Sequence, residues 1–181
     1  MLVEGESDRV ALQTLACRHG RDLAAEGVEV VPMGGITNTR AFASRYGPRG
    51  LDVPLAGLYD APEERHVRGG LAAAGMSEAL DAEELACLGF FKCTADLEEE
   101  LIRALGVDGV TEVIHAAGET RSLQRLTGMP AQRGWTQEAV LRRFMGSRSG
   151  RKARYAALLV EALEPERVPA PLTGLLARVA E

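Results

Sequence analysis

The chain has 181 residues, enough for one well-buried core or a core with a small appendage. Hydrophobic residues make up 46% and charged residues 26%, with aromatics at only 4%, a balance that suits helices packed on a sheet and argues against an all-β design. Net charge is −5 and no apolar run approaches the roughly 20 residues needed to cross a bilayer, which excludes a uniformly basic binder and a membrane-spanning chain. Met1-Leu2-Val3-Glu4 lacks the basic start of a signal peptide, so a cytoplasmic location is expected.

In chain order, Leu2-Val3 reads as the end of a first strand. Ser7 is placed to cap a helix from Asp8 to about Ala25, with Val10, Ala11, Leu12, Leu15 and Ala16 at helical spacing. Gly27 ends that helix, and Val28 to Pro32 reads as the second strand. Met33 to Asn38 holds a Gly34-Gly35 turn suited either to a close approach of phosphate or to a plain turn, and a helix follows through Thr39 to Tyr46. Val53 to Tyr59 is apolar on both faces, as buried parallel strands are, and Pro62 opens the next helix. Leu88 to Cys93 is a fourth strand, and Asp96 to Leu105 a helix ended by Gly106. Beyond about residue 118 the pattern is helical only. The division expected is an α/β core over 1–118 and a helical extension over 119–181.

Alternating strands and helices predict a parallel sheet flanked by helices, with every strand-to-helix turn at one edge. Three of those turns are dense in carboxylates: Glu4 to Asp8, Asp60 to Glu64, and Thr94 to Glu98. Each acid taken alone suits a helix N-terminus, where negative charge is favourable. Gathered at one edge they repel one another unless a cation sits between them, and hard oxygen ligands suit Mg²⁺ or Mn²⁺. The opposite sign is concentrated elsewhere. Between Ala139 and Val160 stand Arg142, Arg143, Arg148, Arg151, Lys152 and Arg154 with no acidic residue, a stripe suited to gripping phosphates and read as one helix.

Leu2-Val3-Glu4-Gly5-Glu6-Ser7-Asp8, followed by Ala56-Gly57-Leu58-Tyr59-Asp60, resembles the Toprim domain, in which a strand-end Glu-Gly precedes an Asp-x-Asp after a later strand. Cys93 to Leu101, with its Asp96-Leu97-Glu98, and the downstream Arg151-Lys152 are similar to the Toprim half of the overcoming-lysogenization-defect (OLD) nucleases. The resemblance runs to about Leu163 and implies a Toprim-like, Rossmann-like α/β fold with a C-terminal helical extension. It implies a DNA endonuclease using two divalent ions, Mg²⁺ or Mn²⁺. Glu4, Asp8, Asp60, Asp96 and Glu98 match the metal-binding motifs, and Glu4 and Lys152 the catalytic positions. Where the family has its second Asp, a ligand of the second ion, this chain has Pro62; Glu63 and Glu64 follow directly, and Glu64 is taken as the substitute.

The resembling nucleases join this domain to an ATPase. Gly146-Ser147-Arg148-Ser149-Gly150-Arg151-Lys152 is no P-loop, because its glycines are one residue too close and the lysine does not directly follow Gly150. Any ATPase is therefore expected on a separate chain. Expected partners are DNA, contacted by Arg142, Arg143, Arg148, Arg151 and Arg154, with a separate ATPase subunit and a homodimer as the assemblies to test. The rival readings are a non-catalytic metal- and DNA-binding subunit of such an ATPase, and another Toprim nucleotidyl transfer. Cys17, Cys87 and Cys93 share no metal-ligand spacing and read as buried free thiols. His19, His66 and His115 read as structural or exposed, and Trp135 as packing.

Overall fold

A computed structural model describes residues 1–76 and 81–180. Four strands, β1 (Leu2–Val3), β2 (Val31–Pro32), β3 (Gly57–Asp60) and β4 (Phe90–Cys93), form one sheet in the order β2-β1-β3-β4, with every neighbouring pair parallel. Pro32 sits in β2 at the sheet edge, where a residue without an N–H costs no ladder bond on its open side. Gly57 has no room for a side chain: a Cβ there would lie 2.7 Å from the Leu2 carbonyl oxygen and 2.8 Å from the Phe90 ring.

The pleat sends alternate residues to two apolar layers. Val3, Leu58 and Cys93 face one, which α1 (Glu6–Arg18), α5 (Leu97–Ala116) and α8 (Arg151–Ala162) cover with Leu12, Leu15, Leu101, Tyr155 and Leu159. Leu2, Tyr59 and Phe90 face the other, covered by α2 (Thr39–Tyr46), α3 (Glu64–Ala73) and α4 (Ala82–Cys87) through Ala43, Val67, Leu71 and Leu85. The remaining helices are α6 (Thr120–Thr127), α7 (Gln137–Met145) and α9 (Ala170–Arg178). α8 packs chiefly on α1 and α5, so the C-terminal helices share a core with the start of the chain. Arg18 ties the two regions further by donating to the carbonyls of Val160 and Leu163.

Several elements depart from the expectations. α1 starts at Glu6 after Gly5 and stops at Arg18, because the chain turns through Gly20 in a left-handed conformation; Asp22 then caps a separate turn through the N–H groups of Ala24 and Ala25. β3 begins only at Gly57, and Val53 is exposed. Gly106 does break α5, at φ 76° and ψ 163°, but the helix resumes beyond it as far as Ala116. The basic stripe is two helices, α7 and α8, parted by the turn 146–150. Cys17 and Cys87 are exposed, and only Cys93 is buried. Trp135 is 46% exposed and supplies no packing core.

Candidate active site

In a parallel sheet of order β2-β1-β3-β4 the chain leaves β1 in one direction for β2 and later returns to its other side as β3. The carboxyl ends of β1 and β3 flank the switch point, where the diverging connections leave a crevice. Glu4 follows β1 directly and Asp60 is the last residue of β3. Asp96 and Glu98 follow β4, and Asp8 lies in the first turn of α1. Glu4, Asp8, Asp60, Asp96 and Glu98 line one depression of about 550 Å³ together with Lys152. The structure thus brings together the acids of three separate strand ends and a lysine from α8.

The acids are held by different means. Gly5 donates its N–H to Asp8 Oδ2 at 2.8 Å, which closes the turn between β1 and α1 and fixes the Asp8 side chain. Asp96 caps α5, its Oδ1 accepting from the Glu99 N–H at 2.9 Å, while its Oδ2 is paired with Arg142. Glu98 is 5% exposed; Lys152 Nζ donates to its Oε2 at 3.1 Å, and its Oε1 is buried with no hydrogen-bond partner. A buried, unpartnered carboxylate oxygen is costly and calls for a donor or cation.

The electrostatics follow from that crowding. Burial, and then the charges of Glu4, Asp8, Asp96 and Glu98, push the Asp60 carboxyl up to about 7. Burial raises Asp8 to about 6, against the Gly5 hydrogen bond and with help from Glu98 and Glu4. Glu4 is raised by burial first and by Glu63 next. Burial opposes the Lys152 charge, but Glu98, Asp96 and Asp8 outweigh it and hold the ammonium above the ordinary lysine range. Among the described residues no three acidic, histidine or cysteine side chains are arranged to hold a metal as they stand.

Two of the expected site residues lie elsewhere. Glu64, expected as the substitute for the missing acid, pairs with Lys92 at 3.3 Å and Arg68 at 3.7 Å and does not line the depression. Glu63 is the one whose charge raises Glu4, and its carboxylate meets His66 Nδ1 at 2.8 Å. Arg151 is 6% exposed, not on an open face: it pairs with Glu119 at 2.5 Å, donates to the Phe144 carbonyl and Ser147 Oγ, and lies over the Phe144 ring. Arg142 and Arg143 are exposed on α7, Arg148 in the following turn, and Arg154 on α8 beside Glu119. Sequence reasoning overlooked Ser149 and Gly150, which form one wall of the depression, and the exposed Arg121 and Arg125 of α6. The four-residue spacing of those two arginines was the available signal. His19, His66 and His115 are all exposed and none lines the depression.

Residues 1–61 match the family model described as the overcoming lysogenization defect protein-like TOPRIM domain. The solved C-terminal region of the Xanthomonas campestris pv. campestris OLD protein is 26% identical, covering 98% of this chain and 89% of that one, with a TM-score of 0.74. Residues 1–61 thus carry the OLD-like Toprim match, and the whole chain shares the fold of the OLD C-terminal region. The fold extends to the C-terminal region of the Burkholderia pseudomallei OLD protein, at 22% identity and a TM-score of 0.72 over 99% of this chain and 94% of that one. No curated protein matches the chain. Glu4, Asp8 and Asp60 fall inside the OLD-like Toprim match, while Asp96, Glu98 and Lys152 reach the same depression from beyond it. No helix among the described residues is long and apolar enough to cross a membrane.

Proposed function

We propose that this domain is an endonuclease that hydrolyses DNA phosphodiester bonds with divalent metal, Mg²⁺ or Mn²⁺, held in the acidic depression. One observation carries the reading: the buried, unpartnered Oε1 of Glu98, set among the carboxylates of Glu4, Asp8, Asp60 and Asp96 and beside the ammonium of Lys152. The donors are all hard oxygens, the type that Mg²⁺ and Mn²⁺ take, and those five residues would hold the ion or ions. When bound, the metal supplies positive charge to the phosphate oxygens and acidifies water.

The chain's own groups do the rest. Gly5 and the α5 cap orient Asp8 and Asp96 before any ligand arrives, which lowers the reorganisation needed on binding. Lys152 is held charged by Glu98 and is half exposed, so it can turn its ammonium to a phosphate and offset charge gathering on it in the transition state. With the Asp60 carboxyl pushed up to about 7 by burial and the neighbouring acids, protons compete with metal there, and activity is expected to fall as pH drops below neutrality.

A second reading, a non-catalytic metal- and DNA-binding subunit of a partner ATPase, draws on Pro62, which stands in the short 3₁₀ turn Ala61–Glu63 where the family has an acid. Incubation with supercoiled and linear DNA in Mg²⁺ or Mn²⁺, beside Glu4→Ala, separates the two. The nuclease reading expects metal-dependent cleavage of both forms that Glu4→Ala abolishes. Metal binding without cleavage of either form would leave the subunit reading.

A further inference from the structure

The acidic depression has a basic neighbour. Arg121 and Arg125 of α6, Arg148 of the turn 146–150 and Arg154 of α8 line a second depression of about 560 Å³. The N-terminal end of α8 is the ridge between the two, and Ser149 and Gly150 belong to both walls. We propose that this second depression holds the phosphates of the same nucleic-acid strand beyond the bond being cut, as a backbone track running across Gly150.

Charge balance is the first support. Glu119 is the only acidic residue among the described residues lining the depression, and both its oxygens are engaged: Oε2 by Arg151, and Oε1 by Arg154 at 2.7 Å with the Tyr155 hydroxyl at 3.4 Å. The guanidiniums of Arg121, Arg125 and Arg148 therefore face solvent with a surplus of positive charge. Guanidinium forks bind phosphate oxygens in pairs, which suits a backbone better than a point charge would.

The second support comes from α8 itself. A helix N-terminus carries partial positive charge and ordinarily draws acids. The first turn of α8 has none: Gly150 is its cap, with no side-chain hydrogen bond, and Arg151, Lys152 and Arg154 follow. The basic residues there are answered only by Glu98 and Glu119 from outside the helix, and a phosphate at the open Gly150 end would add to that balance. Along α8, Lys152 reaches Glu98 on one side of the ridge while Arg154 reaches Glu119 on the other, so one helix end faces both depressions.

A protein partner rich in carboxylates would also meet this charge, but continuity with the acidic depression favours the strand. The inference rests on the nuclease reading for the position of the cut phosphate; its test uses no cleavage. Binding of labelled single-stranded DNA is measured in EDTA for the wild type and for the double variant Arg121→Gln/Arg125→Gln, with a trinucleotide and with a strand of about 12 nucleotides. The wild type is expected to bind the long strand far more tightly than the short one. The double variant is expected to lose about ten-fold or more on the long strand and to lower its salt slope by about one to two. Both side chains are exposed, so a circular-dichroism melt should match the wild type; if it does not, Arg148→Gln, from the turn, is measured in their place. Unchanged affinity and slope on the long strand would overturn the track, as would a wild type indifferent to strand length. Either result leaves the nuclease reading to its own cleavage assay.

Discussion

Asp60→Asn is expected to make the metal-free protein more stable while destroying its response to metal. In the folded chain the Asp60 carboxyl is raised to about 7, by burial and by the charges of Glu4, Asp8, Asp96 and Glu98, whereas an unfolded aspartate titrates near 4. At about pH 8 the folded state carries an ionised carboxylate it disfavours. The difference between those two titration points corresponds to about 4 kcal/mol, and allowing for solvent screening at a partly exposed group leaves about 2 kcal/mol. A chain of this size changes its Tm by roughly 2–4 °C per kcal/mol, so the variant should melt about 4–8 °C higher in EDTA. The sign follows from linkage. A raised carboxyl contributes stability that is fully present below about pH 4 and lost as pH rises through about 7, so the gain from Asp60→Asn should shrink on acidification and vanish near pH 4. Added Mg²⁺ or Mn²⁺ should raise the wild-type Tm by mass action, by about 2.7 kcal/mol at a hundred-fold excess over Kd, and the variant's far less. Scanning calorimetry across pH, with and without metal, reads all of this. A variant that melts at or below the wild type in EDTA at about pH 8 would refute the crowding argument.

Lys152→Ala should abolish cleavage while sparing Mn²⁺ affinity measured by calorimetry. It should also lower the Tm in EDTA, because the buried Glu98 carboxylate loses the ammonium that donates to it, and metal should restore it. Retained turnover in Lys152→Ala would remove its catalytic role. Arg151→Ala breaks a buried pair with Glu119 and strips donors from the Phe144 carbonyl and Ser147, and should destabilise the fold by about 3–5 kcal/mol in denaturant titration. A loss below about 1 kcal/mol would place Arg151 among surface charges instead. Gly57→Ala should also destabilise, by about 1–3 kcal/mol, since its Cβ meets the Leu2 carbonyl and the Phe90 ring.

The parts of this site legible in the sequence are those with a local cause. A strand that stops at an acid places that acid at the sheet edge, and parallel strands put all such ends on the same side; Glu4, Asp60 and Asp96 could be placed from these rules alone. Element bounds were less legible. Val53 is as apolar as Leu58, yet sheet pairing starts only at Gly57, since pairing is decided by the neighbour strands and not by the run itself. Arginine roles were the least legible. Arg151 and Arg154 are three apart on one helix and both meet Glu119, yet Arg151 is buried against Phe144 and Ser147 while Arg154 is exposed, a difference set by α7 and the turn that follows it. Adjacent acids likewise part by their tertiary neighbours: Glu64 pairs with Lys92 of β4, while Glu63 pairs with His66 and adds to the charge that raises Glu4.

The most direct test of metal-dependent cleavage at this site is single-turnover cutting of supercoiled DNA in Mn²⁺ by the wild type and by Asp60→Asn, each shown by calorimetry to be folded. Because the variant is expected to be the more stable protein without metal, misfolding cannot explain a loss of activity. Cleavage by the wild type that EDTA stops and that Asp60→Asn lacks is the predicted result. Equal cleavage by both proteins would contradict it, and so would a wild type that leaves the DNA intact in every divalent metal.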